Sequence, residues 1–296
     1  MNEKSYFNRG KAIFLILIGI LVLLMFPYFL KKMFTDNLIK QWESELIKNE
    51  KETEWLRDTP TDTTSNVGMH KIVWRWSDFD GKMHKISFEI NKQKLSEIPS
   101  FRERQGNRDL GALYRNLNEK CTPIMKPMIE AFKIEIKKQK YEPRNAYLKA
   151  MELVATAVQY IPYTLVLDNT GDCPCEMPFG SYSGECKVRS DGKGCCSGVM
   201  PLGVYAPAEF MYRKLGDCDT RSLFAYTILK ELGFDVAVMV SEERSHSVLG
   251  VHLKNKNLPN YGRDSHNKKY YLWELTARDF HLGYNVEGDD WMSYLN

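Results

Sequence analysis

The sequence predicts an α+β domain carried on an N-terminal membrane anchor. Three observations point there. Residues 12–30 are almost wholly apolar and uncharged. Residues 70–90 alternate apolar with polar side chains at a period of two. From residue 144 onward, helical apolar spacing alternates with short apolar runs at 234–240, 246–253 and 270–275 that fit buried strands. With 43% hydrophobic residues in 296, the chain can fill one sizeable core in addition to the anchor.

A short tail, residues 1–11, leads into the span. Ala12 to Leu30 is 19 residues bracketed by Lys11 and by Lys31-Lys32. At about 1.5 Å per residue such a helix crosses a hydrocarbon layer of about 30 Å. A cleaved signal peptide would carry an apolar stretch of about 7–15 residues, then small residues before the cut. Phe26-Pro27-Tyr28-Phe29-Leu30 stands there instead, so the segment is expected to stay as a single-pass anchor. Charge does not orient it: Lys4, Arg9 and Lys11 precede the span, and Lys31, Lys32 and Lys40 follow it.

Residues 31–68 then form a juxtamembrane helix and a linker. Leu38, Ile39, Trp42, Leu46 and Ile47 recur among charges, and Thr59 to Gly68 is polar. The remaining residues, 69–296, are expected to make one domain. Its first part, 69–115, holds a hairpin: Ile72, Trp74 and Trp76 share one face, Asp80-Gly81 makes the turn, and Ile86, Phe88 and Ile90 follow. The tryptophans suit a packed sheet face better than an open groove. Arg102 to Arg115 is a basic stretch of loop and helix, and Pro123–Lys138 and Arg144–Ile161 carry helical spacing.

Seven cysteines are present, five of them in a Gly- and Ser-rich insert at 173–196. Cys173, Cys175, Cys186, Cys195 and Cys196, together with Cys121, make six that pair or bind a metal, leaving Cys218 as the odd thiol. The spacing departs from the paired Cys-x-x-Cys of zinc ribbons, which favours at least one disulfide over zinc or Cu(I). Disulfides imply an oxidising compartment, so the domain is expected outside the cytoplasmic membrane. A net charge of +3 is too small to imply a nucleic-acid partner. Phosphate loops, dinucleotide fingerprints and His-Glu-x-x-His are absent, and no cofactor is expected.

The chemistry-bearing residues lie late in the chain. Gly216-Asp217-Cys218-Asp219 opens a helix whose apolar positions are Leu223, Phe224, Ile228, Leu229 and Leu232, with Gly233 as its stop. His246 opens the next-but-one element, 28 residues on, and Glu274 ends another after 28 more. A cysteine in the first turn of a helix meets unpaired N–H groups and the positive dipole end, which favour thiolate. A histidine can take the thiol proton, and an acid behind it can hold the tautomer. His252 competes with His246 for that role, and Asp279 with Glu274. Gln159 could donate to an oxyanion or cap its own helix, and Glu209 could be no more than a solvated acid.

At these residues the chain resembles the bacterial and archaeal branch of the transglutaminase-like, papain-fold superfamily. The matching pieces are Gly216-Asp217-Cys218-Asp219, His246-Ser247-Val248-Leu249-Gly250-Val251 and Trp273-Glu274-Leu275-Thr276, preceded by Gln159-Tyr160-Ile161-Pro162-Tyr163 and Tyr205-Ala206-Pro207-Ala208-Glu209. Glu274 and Leu275 depart from the aspartate and proline usual in the family. The resemblance spans about residues 145 to 285. It implies a Cys-bearing helix packed on an antiparallel sheet that carries His and acid. It implies a catalytic triad, Cys218, His246 and Glu274, acting on amide bonds of a peptide or protein. Water as acceptor makes a cysteine protease or amidase, the fate favoured for a membrane-anchored hydrolase; an amine acceptor makes a transglutaminase. A catalytically inactive scaffold of the same fold is the alternative, and a metal-binding cysteine module on the same chain is a third.

Overall fold

Alternation at the N-terminal end of the domain builds a two-stranded ribbon. The computed structural model describes residues 68–106, 109–168, 196–254, 258–284, 286 and 288–296. The anchor expected at 12–30, the segment 31–67 and most of the cysteine insert lie outside the described residues. Among the described residues no helix is long and apolar enough to cross a membrane.

Strands β1 (Met69–Ser77) and β2 (Met83–Asn91) pair antiparallel, with Trp74 opposite Ile86 and Trp76 opposite His84. Every second residue is buried, so Ile72, Trp74, Trp76, Ile86, Phe88 and Ile90 form one apolar face. Trp74 stacks on Phe224 at 5.4 Å and donates its indole N–H to Met211 O at 3.2 Å. The tryptophans therefore pack the core and line no groove. Asp78 shapes the turn by accepting from the backbone of Asp80 and Lys82. Its other oxygen meets His84 Nε2 at 2.8 Å, while His84 Nδ1 meets Glu135 at 3.1 Å.

Six α-helices are described: α1 (Lys92–Ser96), α2 (Ile98–Glu103), α3 (Leu110–Gln139), α4 (Pro143–Gln159), α5 (Pro207–Arg213) and α6 (Cys218–Glu231). The sequence places a helix start at Pro123, but α3 runs unbroken through Pro123 and Pro127. Each proline removes one ladder bond. The cost is offset by an apolar stripe, Leu113, Tyr114, Leu117, Met125, Met128 and Phe132, that is fully buried.

Helix α6 is the centre of the molecule. Helices α3, α4 and α5 pack on it from one side and the strands β5 (Val236–Ser241) and β6 (His246–Val251) from the other. Its burial is not confined to the stripe the periodicity marks, because Thr220, Arg221, Ser222 and Thr227 are buried too. The helix stops in a Schellman motif: Phe234 N–H donates to Leu229 O and Gly233 N–H to Lys230 O, with Gly233 at φ +87°.

Two short strands, β3 (Leu165–Val166) and β4 (Cys196–Ser197), pair in parallel before the Pro201–Gly203 turn. The C-terminal strands β5, β6, β7 (Tyr261–Arg263), β8 (Lys269–Trp273) and β9 (Met292–Leu295) close into a small barrel in the order β5-β6-β8-β7-β9. All pairs are antiparallel except β7 with β9. The molecule is thus a mixed α/β structure in which an antiparallel β5-β6-β8 sheet backs a buried helix. Strands β7 and β9 are too short for an apolar run to mark them in the sequence.

Candidate active site

Cys218 is the first residue of α6, and two neighbours explain how it is held. Asp217 caps the helix: its Oδ1 accepts from Thr220 N at 3.4 Å and its Oδ2 from Val166 N at 3.1 Å. Gly216 gives the approach its room, since a Cβ there would stand 2.5 Å from Thr220 Cγ2 and 2.9 Å from Phe210 Cδ2. One turn on, Arg221 is fully buried and donates to five carbonyls. They belong to Gly216 at 2.9 Å, Val158 at 3.3 Å, Ile161 at 2.8 Å, Pro162 at 2.5 Å and Leu275 at 3.1 Å. One side chain thereby joins the end of α4, the approach to Cys218 and the end of β8.

His246 opens β6 opposite Ser241, and Glu274 follows the last residue of β8. Because β6 and β8 run antiparallel, with Leu249 beside Trp273, both residues come to the same end of the sheet. His246 Nε2 and Glu274 Oε2 are 2.6 Å apart. The other Glu274 oxygen accepts from Leu275 N and Thr276 N at 2.9 Å and from Thr276 Oγ1 at 2.8 Å. Burial pushes the Glu274 carboxyl up, but the His246 bond and charge and the Thr276 donors outweigh it and hold the group below its usual range. The acid is ionised and fully coordinated. Asp279 is exposed on a left-handed turn at φ +64°, and the acid bonded to His246 is Glu274.

Cys218 and His246 line one cavity of about 440 Å³. Tyr163, Leu165, Leu202 and Arg244 form its walls with them. His246 reaches it from a side chain about 20% exposed, whereas Glu274 is 2% exposed behind it. His252, at the far end of β6, hydrogen-bonds Lys269 O at 2.8 Å and does not line the cavity.

The electrostatics of Cys218 differ from the sequence expectation. Its thiol is pushed well above the usual cysteine range, first by burial, then by the charges of Asp219 and Asp217. The Ser247 backbone N–H favours thiolate but is outweighed. The helix-start argument is sound for an exposed thiol; here loss of water and two carboxylates override it. Asp219 lies 3.9 Å from the sulfur through Oδ2, and its Oδ1 accepts from the hydroxyls of Tyr114 and Ser247. Buried Asp217 is raised to about 8 by burial and by Asp219.

Several sequence assignments change. Gln159 is no oxyanion donor: its Nε2 gives both hydrogens to backbone, Glu274 O and Phe280 O, each at 2.8 Å. It fixes the segment behind the acid. Glu209 is buried and bidentate with Arg102 at 2.8 and 3.1 Å, so it is not a solvated acid. Cys121 is a free thiol inside α3, fully buried, and does not pair. Its burial pushes it up to about 12. With Cys121 and Cys218 both free, counting thiols no longer singles out Cys218. Cys196 is disulfide-bonded. Cys173, Cys175, Cys186 and Cys195 lie outside the described residues. Among the described residues no three His, Cys, Asp or Glu side chains gather as a metal site.

Arg221, Tyr114, Ser247 and Tyr163 are missed by reading motifs. A charge inside an apolar helical pattern is the signal for Arg221; Tyr114, 105 residues before Asp219, gives none. The chain matches no family model, no curated protein and no solved structure.

Proposed function

We propose that this chain is a thiol enzyme that cleaves amide bonds of a peptide or protein through Cys218, His246 and Glu274, on a core of the transglutaminase-like, papain type. The observation that carries the reading is the 2.6 Å His246–Glu274 pair opening onto the cavity that Cys218 lines. Glu274 accepts the Nε2 hydrogen, so the neutral ring presents Nδ1 as its basic nitrogen. Resting Cys218 is a thiol and is deprotonated as it attacks, in the manner of a serine nucleophile. Sγ bonds to the carbonyl carbon while its proton passes to His246. The imidazolium, stabilised by ionised Glu274, then returns that proton to the departing amine and leaves a thioester. Water completes hydrolysis; an amine in its place completes acyl transfer. Residues 12–30 would anchor the domain, and the disulfide at Cys196 supports a site outside the cytoplasmic membrane.

The raised Cys218 thiol also supports a second reading, a scaffold of the same fold without turnover. Mass spectrometry of the full chain after exposure to a peptide library separates them. An enzyme carries an acyl group on Cys218, releases it as a hydroxamate with hydroxylamine, and loses it in Cys218→Ala and His246→Ala. A chain that takes up no acyl group is the scaffold.

A further inference from the structure

Acyl chemistry at Cys218 needs donors for the oxygen that becomes negative when the sulfur adds to the carbonyl. One donor is present in the helix itself. Cys218 is the first residue of α6, where backbone N–H groups have no acceptor within the helix. The first ladder bond is Arg221 N to Asp217 O, and the cap takes Thr220 N, which leaves the Cys218 N–H directed out of the helix start. Gln159, a second donor by the sequence reading, is spent on Glu274 O and Phe280 O. Four residues past that glutamine stands Tyr163.

Tyr163 is 3% exposed, yet it lines the cavity with Cys218 and His246. Its ring is held from behind: the Arg221 guanidinium lies 5.5 Å from the centroid, and Thr164 N–H next door donates to Gly216 O at 3.3 Å. Burial, then Cys218 and Asp217, push its hydroxyl well above the ordinary tyrosine range, so it keeps its proton. A rigid, protonated donor thus faces the cavity beside the nucleophile.

Resting on the enzyme reading above, we propose that the Tyr163 hydroxyl and the Cys218 backbone N–H form the oxyanion hole of this site, in place of Gln159. As the Cys218 Sγ–carbon bond forms, the carbonyl π pair moves to oxygen and the thiol proton moves to His246. The two donors share the resulting oxyanion. When the tetrahedral adduct collapses, the pair returns to the carbonyl, the C–N bond breaks, and the amine leaves with the His246 proton. Preorganised donors of this kind act on the transition state and are each worth about 10²–10³ in rate.

The test compares two reactions of one thiol in the full chain. Acylation by p-nitrophenyl acetate passes through an oxyanion; alkylation by iodoacetamide is a direct displacement and does not. Tyr163→Phe removes the hydroxyl and keeps the ring. We expect acylation of Cys218 to fall about 10²-fold while the alkylation rate and its pH profile stay within a factor of two. If Tyr163→Phe slows both reactions alike, its role is structural and the proposal fails. Equal acylation by parent and variant also overturns it and leaves the enzyme reading intact. A parent chain that alkylates but never acylates overturns both.

Discussion

Asp219→Asn isolates the charge that keeps Cys218 protonated. Oδ2 of Asp219 lies 3.9 Å from the sulfur. Two unit charges about 4 Å apart interact by about 4 kcal/mol at an effective dielectric of about 20. At about 1.36 kcal/mol per unit, that sets an upper limit of about three pKa units on the shift from removing the charge. Burial, the larger cause, remains, and the shift is placed between about one and three units downward. A thiolate of lower pKa is also a weaker nucleophile, with a coefficient of about 0.4–0.5. The two effects together predict alkylation of Cys218 by iodoacetamide about 3- to 60-fold faster at pH 7.5. Asparagine keeps Oδ1 as the acceptor for Tyr114 and Ser247, so the scaffold around the thiol is retained. Peptide mapping by mass spectrometry after timed labelling reads the rate at Cys218 alone. An unchanged or slower rate in a variant with wild-type thermal unfolding would refute the electrostatic account.

Three further outcomes follow from neighbouring residues. Glu274→Gln turns a donor toward His246 Nε2, which forces the ring hydrogen onto Nδ1 and removes the base; acylation should fall about 10⁴-fold with the fold retained, as monitored by circular dichroism. Asp217 is raised to about 8 in the folded chain, so the native state holds a proton that the unfolded chain releases above about 4. Its contribution is complete below about pH 4 and is lost as pH rises to about 8. Asp217→Asn should flatten that slope while giving up one N–H acceptor, so denaturant titrations should find it weaker than wild type at pH 5 and closer to it at pH 8; parallel curves would contradict this. Gly216→Ala forces a Cβ into Thr220 and Phe210 and should cost about 1–3 kcal/mol in chemical denaturation; no loss would mean the approach to Cys218 relaxes freely.

The parts legible in the sequence are those written in local pattern. Alternation from His70 to Ile90 and the Asp80-Gly81 turn mark the hairpin because each strand has one buried face. The Asp217 cap and Gly233 stop mark α6 because helix ends need those residue types. Cys218, His246 and Glu274 stand out because each sits at the boundary of an element. What local pattern does not carry is burial. The thiolate expectation fails because nothing in Gly216–Asp219 reveals that α6 is enclosed on all sides. Gln159 and Glu209 are misread for a related reason: their partners, Glu274 and Phe280 in one case and Arg102 in the other, lie more than a hundred residues away. Pro123 misleads because tertiary packing overrides a proline's local preference.

The five carbonyls gathered by Arg221 have a consequence for when chemistry can begin. Four of them lie 54 to 63 residues from it along the chain, on both sides of α6. Among the described residues the guanidinium bonds to no carboxylate, so its buried charge depends on those distant segments being in place. The triad's geometry therefore depends on the closed core, and an unfolded copy carries an ordinary thiol with neither base nor acid beside it.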